Sequence, residues 1–260
     1  MPDTQAVLAL IDASIEQAGN AEHRAWEKST GEWVTELDLV IEAALTESLS
    51  SLLPGSRVLA EEAASQDSSW LNWIAQGQVW IVDPLDGTAN YVTGSGPVAT
   101  MAALVVDGSP QLSCIRLHGG PALLADATGV RVIGGKASVE HHRERGRGVI
   151  SARFLPRRIV DQMSTALVNE FDIVDGSGCA GSDYVDLVCG RLDFLIYERV
   201  LPWDHIPGAY AVTKMGGSVQ MGDGSSYRAQ PEGAGLVASS SRQRTSRLLE
   251  LRRAAINTGS

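Results

Sequence analysis

An α/β fold is predicted for this chain because strand-like and helix-like segments alternate along it. Short apolar runs such as Val79–Val82 predict buried strands. Apolar residues at helical spacing, as in the segment Thr4–Ala18, predict helices. The alternation is clearest in the C-terminal half, where it favours a sheet covered by helices. With 260 residues, the chain is long enough for one large domain or for two small ones that share an interface.

The chain is divided into an N-terminal half, residues 1–145, and a C-terminal half, residues 146–260, at the charged segment Ser138–Gly148. In the first half, helices are predicted at about 4–18 and 38–53, and strands at 58–60, 79–82, 99–106, 111–116, 122–126 and 130–133. In the second half, strands are predicted at 148–151, 173–174 and 193–197, and helices at 156–171, 182–188 and 206–215. The segment 239–246 is interpreted as merely polar.

Composition and charge narrow the classes of function. A net charge of −10 disfavours nucleic-acid binding through a basic face, and an acidic chain that handles phosphate esters needs cations to offset repulsion. The three cysteines lack C-x-x-C spacing and are interpreted as reduced, mostly buried thiols. The first residues show no signal-peptide pattern, and no apolar run approaches the length of a membrane span. A soluble cytoplasmic protein is therefore expected.

The segment Asp83–Thr88, which reads Asp-Pro-Leu-Asp-Gly-Thr, says more about function than any other. It follows directly on an apolar run and delivers two carboxylates, Asp83 and Asp86, before it exits through Gly87. Two carboxylates at the end of a rigid strand suit divalent metal ions. The amides and hydroxyl of Gly87 and Thr88 could then bind an anion beside those ions. The structural alternative is that Asp-Pro and Asp-Gly only mark a corner between a strand and a turn.

Three further acidic sites lie at element boundaries, and each has a structural alternative. Asp38, where an extended segment meets a predicted helix, could be an N-cap. The pair Glu61-Glu62, after a short apolar run, could belong to a solvated loop. Asp204 precedes a predicted helix with Pro207 in its first turn, and it could also be an N-cap.

These sites, in this order and with these neighbours, resemble the inositol monophosphatase family of lithium-sensitive, magnesium-dependent sugar phosphatases. The family pattern has Glu-Glu after a strand, then Asp-Pro-(Leu/Ile)-Asp-Gly-Thr, and later Trp-Asp-x-x-(Pro/Ala)-Gly. This chain supplies Glu61-Glu62, Asp83–Thr88 and Trp203–Gly208, and the resemblance spans about residues 10–220. It implies a layered α/β (α+β) sandwich with alternating α-β-α-β-α layers. Residues 1–145 would carry most metal ligands, and residues 146–260 would carry Asp204 and the substrate pocket.

The resemblance also implies a role for each site residue. Glu61, Asp83 and the main-chain carbonyl of Leu85 would hold one Mg²⁺, and Asp83, Asp86 and Asp204 would hold a second. A third, looser ion near Glu61 agrees with the preference of Mg²⁺ for water and carboxylate ligands. One ion would orient the attacking water and the other would stabilise the leaving alkoxide. The catalytic residues would be Asp38, Thr88 and Glu61, with the Thr88–Asp38 pair orienting and deprotonating the water. The amides of Gly87 and Thr88 would hold phosphate oxygens, and Lys28 aligns approximately with a lysine near the family's site.

The residues that would recognise the alcohol depart from the family pattern. Gly178 and Ala180 fit a Gly-x-Ala segment that, in the inositol enzymes, contacts the ring together with a glutamate. The position aligned with that glutamate is Tyr197, and Glu198 comes one residue later. Because side chains alternate along a strand, Glu198 should face the opposite way unless a bulge intervenes. Recognition of inositol is therefore expected to differ from that of the inositol enzymes.

The implied function is hydrolysis of a small polyol or sugar-like phosphate of the inositol monophosphate type, by an Mg²⁺-dependent, lithium-sensitive enzyme. Histidinol phosphate, fructose 1,6-bisphosphate and 3′-phosphoadenosine nucleotides remain alternative substrates, and a regulatory partner of a transcription complex is a non-enzymatic alternative. A covalent-aspartate phosphatase of the haloacid dehalogenase type is excluded, because its two aspartates lie two residues apart. Relatives are usually dimers, so a homodimer that binds a small phosphomonoester, and neither nucleic acid nor membrane, is expected.

Overall fold

A computed structural model describes residues 2–19, 24–28, 32–135, 145–151, 157–229 and 235–257. The helices described are α1 (Thr4–Ala18), α2 (Glu36–Leu52), α3 (Glu61–Gln66), α4 (Thr88–Thr93), α5 (Arg157–Leu167), α6 (Ala180–Val188), α7 (Pro202–Lys214) and α8 (Arg242–Asn257), with a 3₁₀ helix at Ser68–Ala75. The strands described are β1 (Ala25–Glu27), β2 (Trp33–Thr35), β3 (Arg57–Ala60), β4 (Gln78–Asp86), β5 (Ala99–Val106), β6 (Ser109–Leu117), β7 (Ala122–Asp126), β8 (Gly129–Ile133), β9 (Gly146–Ile150), β10 (Phe171–Val174), β11 (Phe194–Tyr197), β12 (Ser218–Met221) and β13 (Leu236–Ser239). Most of the predicted boundary segment 138–148 lies outside the described residues.

Two sheets form the strand layers of the fold. The first has six strands in the order β3-β4-β5-β6-β7-β8, and only the β3–β4 pair is parallel. The second has five strands in the order β10-β9-β11-β13-β12. A separate hairpin pairs β1 with β2. Since strands near the middle of each sheet are covered on both faces, they read as continuous apolar runs in the sequence.

Helices cover both faces of each sheet. Helices α1 and α2 bury residues such as Ile11 and Ile41 against Trp80 and Leu104 of the six-stranded sheet. Helices α6 and α7 lie between the two sheets, and their residues share one core with strands of both. Helices α5 and α8 cover the far face of the five-stranded sheet, where Met163 and Leu248 are fully buried. The predicted α-β-α-β-α sandwich is confirmed.

Several predicted boundaries were wrong, and each has a physical reason. Strand β4 does not stop at Asp83 but continues through a bulge to Asp86. Helix α7 begins at Pro202, because proline suits the first helical position, so Asp204 lies inside its first turn. The segment interpreted as merely polar includes the start of α8, whose apolar residues Leu248 and Leu249 are buried although its average composition is polar.

Two further corrections concern helices that the sequence pattern placed imprecisely. Helix α2 begins at Glu36, because Thr35 is its N-cap. The predicted helix 156–171 ends earlier, at Leu167, and Phe171 already belongs to β10, where it packs edge-on against Phe194. Within the described ranges, none of the helices is both long and apolar enough to cross a lipid bilayer.

Candidate active site

The Asp83–Thr88 segment forms a bulged corner at the end of β4. The register between β4 and β5 passes from the pair Asp83 and Met101 to the pair Asp86 and Ala99, so β4 carries one extra residue there. Bulges of this kind re-aim side chains at sheet ends. Proline is compatible with this position because it has no N–H to place in the ladder. The bulge brings both aspartates to one cavity.

This cavity, about 70 Å³ in volume, is lined by acidic residues from three elements of both halves. Glu61 is the first residue of α3, Asp83 and Asp86 come from β4, and Asp204 comes from the first turn of α7. The other lining residues are Glu32, Trp33, Leu85, Gly87, Thr88, Ala89, Gly178 and Arg199. All five residues expected from the family resemblance as metal ligands therefore meet here. We call this space the acidic cavity.

Burial and mutual repulsion dominate the electrostatics of the acidic cavity. Burial raises the pKa of Asp83 well above its usual range, and the negative charges of Glu61, Asp86 and Asp204 raise it further. Burial likewise raises the pKa of Glu61, although the ammonium group of Lys28 opposes the shift. For Asp86, burial raises the pKa, and hydrogen bonds led by the Gly181 amide oppose the rise. The carboxylates thus stand in an environment that favours an additional positive charge.

Lys28 supplies part of that positive charge. Its Nζ lies 3.2 Å from Oε1 of Glu61 and 2.7 Å from Oε1 of Glu62. The amide of Glu62 donates to the carboxylate of Glu42 at 3.0 Å, which fixes the start of α3. The approximate alignment of Lys28 with a lysine near the site therefore agrees with its position beside Glu61.

The acidic residues fit a divalent cation by donor type and charge. Among the described residues, no three His, Cys, Asp or Glu side chains stand close enough together to form a ligand group. Glu61 contacts Lys28, and one oxygen of Asp86 accepts from the amide of Gly181 at 2.6 Å, so these carboxylates are directed at protein donors. Carboxylate and carbonyl oxygens are nevertheless the ligands that Mg²⁺ prefers. A cation would also offset the repulsion that raises the pKa of Asp83.

Thr88 and Asp38 form a hydrogen-bonded pair behind the acidic cavity. The hydroxyl of Thr88 lies 2.8 Å from the Leu85 carbonyl and 3.2 Å from Oδ1 of Asp38. The other oxygen of Asp38 accepts from the amide of Thr35 at 2.8 Å. Asp38 is therefore the third residue of helix α2, bonded back to the N-cap Thr35 in a capping box, and is not itself the N-cap. Burial raises the pKa of Asp38 to about 6, while its hydrogen bonds from Thr35 oppose the rise.

Gly87 permits the sharp exit from the corner. Its φ is +85°, in the left-handed region that favours glycine. A Cβ at this position would also lie 2.9 Å from the carbonyl oxygen of Pro97. Both constraints require glycine at this position, and Gly87 and Thr88 both line the acidic cavity.

A larger cavity of about 440 Å³ adjoins the acidic cavity and shares Asp86, Gly178, Arg199 and Asp204 with it. We call it the side cavity. Both remaining residues expected to bind substrate, Ala180 and Tyr197, line it. Valine and isoleucine side chains of β9, β10 and α5 form an apolar wall, comprising Val149, Ile150, Val160, Ile173 and Val174.

Tyr197 and Glu198 face opposite sides of β11, as strand alternation predicts. Tyr197 is buried, and its hydroxyl donates to Oδ2 of Asp183 at 3.2 Å. Glu198 accepts from Nε and Nη2 of Arg252 at 2.7 and 2.5 Å, and both side chains are buried. The prediction that Glu198 faces away from the pocket is confirmed. The side cavity therefore has an internally bonded tyrosine where the inositol enzymes are expected to have a glutamate.

Sequence patterns missed Arg199 and Glu32, and they missed the contact that Cys179 makes with Asp86. Arg199 lines both cavities, and its guanidinium lies 2.5 Å from the carboxylate of Glu32, which also lines the acidic cavity. Cys179 donates from Sγ to Oδ2 of Asp86 at 3.1 Å. Arg199 could have been found by alternation, because it lies two residues after Tyr197. No sequence signal brings Glu32 to Arg199, which is distant along the chain.

Comparison with known proteins identifies the family of this chain. The model of the inositol monophosphatase family matches residues 3–257 of the chain, nearly its whole length. The chain belongs to the inositol monophosphatase family. Members of this family are metal-dependent phosphatases that hydrolyse phosphate monoesters. The enzyme class predicted from the motifs, a phosphoric monoester hydrolase, is confirmed.

Individual relatives are moderately similar. An inositol-1-monophosphatase from Synechocystis sp. is 27% identical over 228 residues, which cover 85% of this chain and 77% of that protein. A protein named Nus factor SuhB from Xylella fastidiosa is 26% identical over 200 residues, which cover 74% of this chain and 70% of that protein. A staphylococcal inositol monophosphatase-1, solved as an inhibitory complex soaked in LiCl, superposes with a TM-score of 0.79 at 20% identity, covering 96% of each chain. At that identity the superposition shows the fold alone.

Proposed function

We propose that this chain is an Mg²⁺-dependent phosphomonoesterase that hydrolyses a small polyol or sugar-like phosphate with a water molecule as the nucleophile. The observation that carries the proposal is the acidic cavity itself. Glu61, Asp83, Asp86 and Asp204 converge there from three elements, directly beside a side cavity with room for an alcohol. The membership in a phosphatase family supports the same reaction.

In the proposed site, Glu61, Asp83 and the carbonyl of Leu85 would hold one Mg²⁺, and Asp83, Asp86 and Asp204 a second, with Asp83 bridging. When bound, such ions activate water and stabilise the leaving oxygen. A third ion would lie near Glu61, where it would compete with the ammonium group of Lys28 for that carboxylate. The donors are all oxygen atoms of carboxylates or carbonyl groups, as hard cations require.

The remaining residues position the reactants. The hydroxyl of Thr88, between Leu85 and Asp38, would orient the attacking water, and the ionised carboxylate of Asp38 would take up its proton through that hydroxyl. Glu61, beside the cavity, would assist in activating the same water. The amides of Gly87 and Thr88 would hold phosphate oxygens, since both residues line the acidic cavity. Gly178, Ala180 and Tyr197 would contact the alcohol.

Substrate preference follows from Tyr197. Tyrosine has no carboxylate to accept hydrogen bonds from ring hydroxyls as a glutamate would, and the hydroxyl of Tyr197 already donates to Asp183. We therefore propose that inositol 1-phosphate is not the preferred substrate. Histidinol phosphate, fructose 1,6-bisphosphate and 3′-phosphoadenosine nucleotides are the alternatives.

Phosphate release from a panel of these monoesters, with Mg²⁺ and again with EDTA, tests the proposal. We expect release that requires Mg²⁺, with at least one alternative preferred over inositol 1-phosphate. Turnover that persists in EDTA would contradict the metal requirement. A wide preference for inositol 1-phosphate would contradict the role given to Tyr197.

We also propose inhibition by millimolar Li⁺ and a homodimer in solution. The same assay with LiCl checks the inhibition, and a light-scattering measurement checks the dimer.

A binding role in a transcription complex is the second candidate, because one relative is named a Nus factor. The full set of acidic side chains favours catalysis, since a protein that only binds a partner has no need to gather four mutually repelling carboxylates in its interior. Absence of phosphate release from every monoester tested, in a folded protein saturated with Mg²⁺, would favour the binding role.

A further inference from the structure

The bulge that separates Asp83 from Asp86 has a brace of its own on the neighbouring strands. Thr100 of β5 lies between Met101 and Ala99, the two residues that pair with Asp83 and Asp86. Thr100 is fully buried, and its hydroxyl lies 2.8 Å from the carbonyl oxygen of Pro84, inside the bulge. A side chain thus supplies a donor to the backbone at the point where the ladder register is interrupted.

His118 completes this brace from the end of β6. Its Nε2 lies 2.9 Å from Oγ1 of Thr100, and its backbone amide donates to the carbonyl of Val98 at 3.0 Å. A carbonyl oxygen can only accept, so the single hydroxyl proton of Thr100 goes to Pro84. His118 must then donate from Nε2, which fixes its tautomer and orients the Thr100 hydroxyl. The result is a directed chain from His118 through Thr100 to Pro84.

We propose that Thr100 and His118 are positioning residues that hold the Pro84 carbonyl, and thereby fix the spacing of Asp83 and Asp86 for cation binding. The inference rests on the proposed function only in taking the acidic cavity to bind a divalent cation. Both aspartates flank the braced peptide, and Leu85, whose carbonyl is a proposed ligand, follows it directly. Groups that orient metal ligands commonly change metal affinity about 10- to 100-fold when they are removed.

The first test measures metal binding without catalysis. Mn²⁺ is titrated into the full-length protein, and the free ion is followed by electron paramagnetic resonance. We expect Thr100→Val, which keeps the shape but lacks the hydroxyl, to bind Mn²⁺ about tenfold more weakly. Thr100→Ser keeps the hydroxyl and should bind within about twofold of the unmodified protein. His118→Phe should weaken binding less than Thr100→Val, because Thr100 can still reach Pro84.

A matched control is Thr245→Val. Thr245 is also fully buried, but its hydroxyl is shared with Ser239 in the five-stranded sheet, away from the acidic cavity. It should lose stability without a change in Mn²⁺ affinity. Unchanged affinity in a folded Thr100→Val variant would overturn the proposal, as would equal losses in Thr100→Val and Thr100→Ser. Should Thr100→Val fail to fold, unchanged affinity in His118→Phe overturns it instead.

Amide hydrogen exchange in the segment 83–88 separates this inference from the proposed function. The amide of Leu85 donates to Oδ1 of Asp83 at 3.1 Å within the bulge, so its exchange reports the bulge without any metal. Faster exchange in Thr100→Val, but not in Thr245→Val, is expected. If the unmodified protein bound no Mn²⁺ and released no phosphate, the proposed function would fail while faster exchange would still support the brace. Unchanged exchange would overturn the brace whatever the enzyme does.

Discussion

The Asp83–Thr88 corner and the wall of the side cavity meet at Asp86, which lines both cavities, and they obtain their geometry in different ways. The corner is built by consecutive residues of one bulged strand, which β5 pairs on both sides of the bulge. The wall is assembled from segments far apart in the sequence, with Tyr197 bonded to Asp183 and Arg199 paired with Glu32. The local sequence therefore determines the shape of the corner, whereas the wall depends on contacts between distant segments.

Asn90 is one of several direct links between the N-terminal half and the segment around Gly178. Its side-chain amide donates to the carbonyl of Pro97 at 2.8 Å and to that of Ser177 at 2.9 Å. The first contact lies in the N-terminal half and the second precedes Gly178. A Cβ on Gly178 would lie 3.0 Å from the Asn90 amide oxygen, so the glycine permits this close approach.

The largest effect is expected in the acidic cavity that the corner lines, from Asp86→Asn or Asp204→Asn. Each removes one negative charge from the acidic cavity, and the proposed metal-assisted reaction should slow roughly 100- to 1,000-fold for every alcohol. The melting temperature without Mg²⁺ should stay the same or rise, because repulsion among the carboxylates falls. Steady-state kinetics at saturating Mg²⁺ checks this. The control is Asp172→Asn, which removes a negative charge from an exposed residue. Full activity in either variant would contradict the site.

Asp183, which lines the side cavity, should make the free energy of unfolding depend on pH. Burial raises the pKa of Asp183 from 3.8 to about 6, so the folded state holds this proton more tightly than the unfolded state. The resulting stability is complete below pH 3.8 and is lost as the pH rises through about 6. The loss is at most about 3 kcal/mol.

Chemical denaturation of Asp183→Asn at pH 4 and pH 8 measures this effect. The free energy of unfolding of the variant, relative to that of the unmodified protein, should be higher at pH 8 than at pH 4, since asparagine does not ionise. A constant cost from altered hydrogen bonds cancels in that difference. An equal stability difference at both pH values would show that burial does not perturb Asp183.

Breaking the link at Asn90 should have an intermediate effect. Asn90→Asp places carboxylate oxygens against the carbonyls of Pro97 and Ser177, an unfavourable arrangement that should shift Gly178. We expect KM to rise about tenfold for substrates with a large alcohol, with a smaller change in kcat. Thr93→Ala is the control, because Thr93 lies on the same helix and bonds only within the segment 89–95. Equal changes in both variants would mean that the helix, not the link, is responsible.

The smallest effects are expected at the Arg199–Glu32 ion pair, which is partly exposed and so contributes about 1 kcal/mol or less. Arg199→Gln removes a positive charge that lines the acidic cavity and should raise KM for an anionic ester a few-fold. Glu32→Gln removes a repelling charge and should lower KM by a similar factor. Kinetics at low and high salt checks both, because screening should reduce the two changes. Changes of the same sign would contradict the electrostatic explanation.

The sequence predicted the corner well because its information is local. Asp83 and Asp86 were recognised as candidate ligands from residues within a few positions, whereas Glu61 and Asp204 were assigned through the family resemblance. The structure places all four on one cavity. The layer order followed from the family resemblance, whereas hydrophobic spacing predicted single elements such as α1, whose predicted bounds match the structure. The bulge was not predicted, since an extra residue in a ladder depends on the partner strand, here the residues around Thr100.

Contacts between distant segments were beyond the reach of sequence patterns. Nothing near Cys179 indicates that its thiol contacts Asp86, and nothing near Glu198 indicates its buried partner Arg252. Helix α8 was missed because most of its residues are polar, although it buries Leu248 and Leu249. These are tertiary effects, which override local composition.

The most direct test of the central claim is to locate bound metal by anomalous scattering from crystals soaked in Mn²⁺. The account predicts at least two peaks in the acidic cavity, within about 2.3 Å of carboxylate oxygens of Asp83, Asp86, Glu61 or Asp204. Asp83 should contact both ions, and the peak next to Asp86 and Asp204 should be lost in Asp204→Asn. An empty acidic cavity in crystals of an enzyme that needs the metal for turnover, or peaks only elsewhere on the protein, would contradict the account.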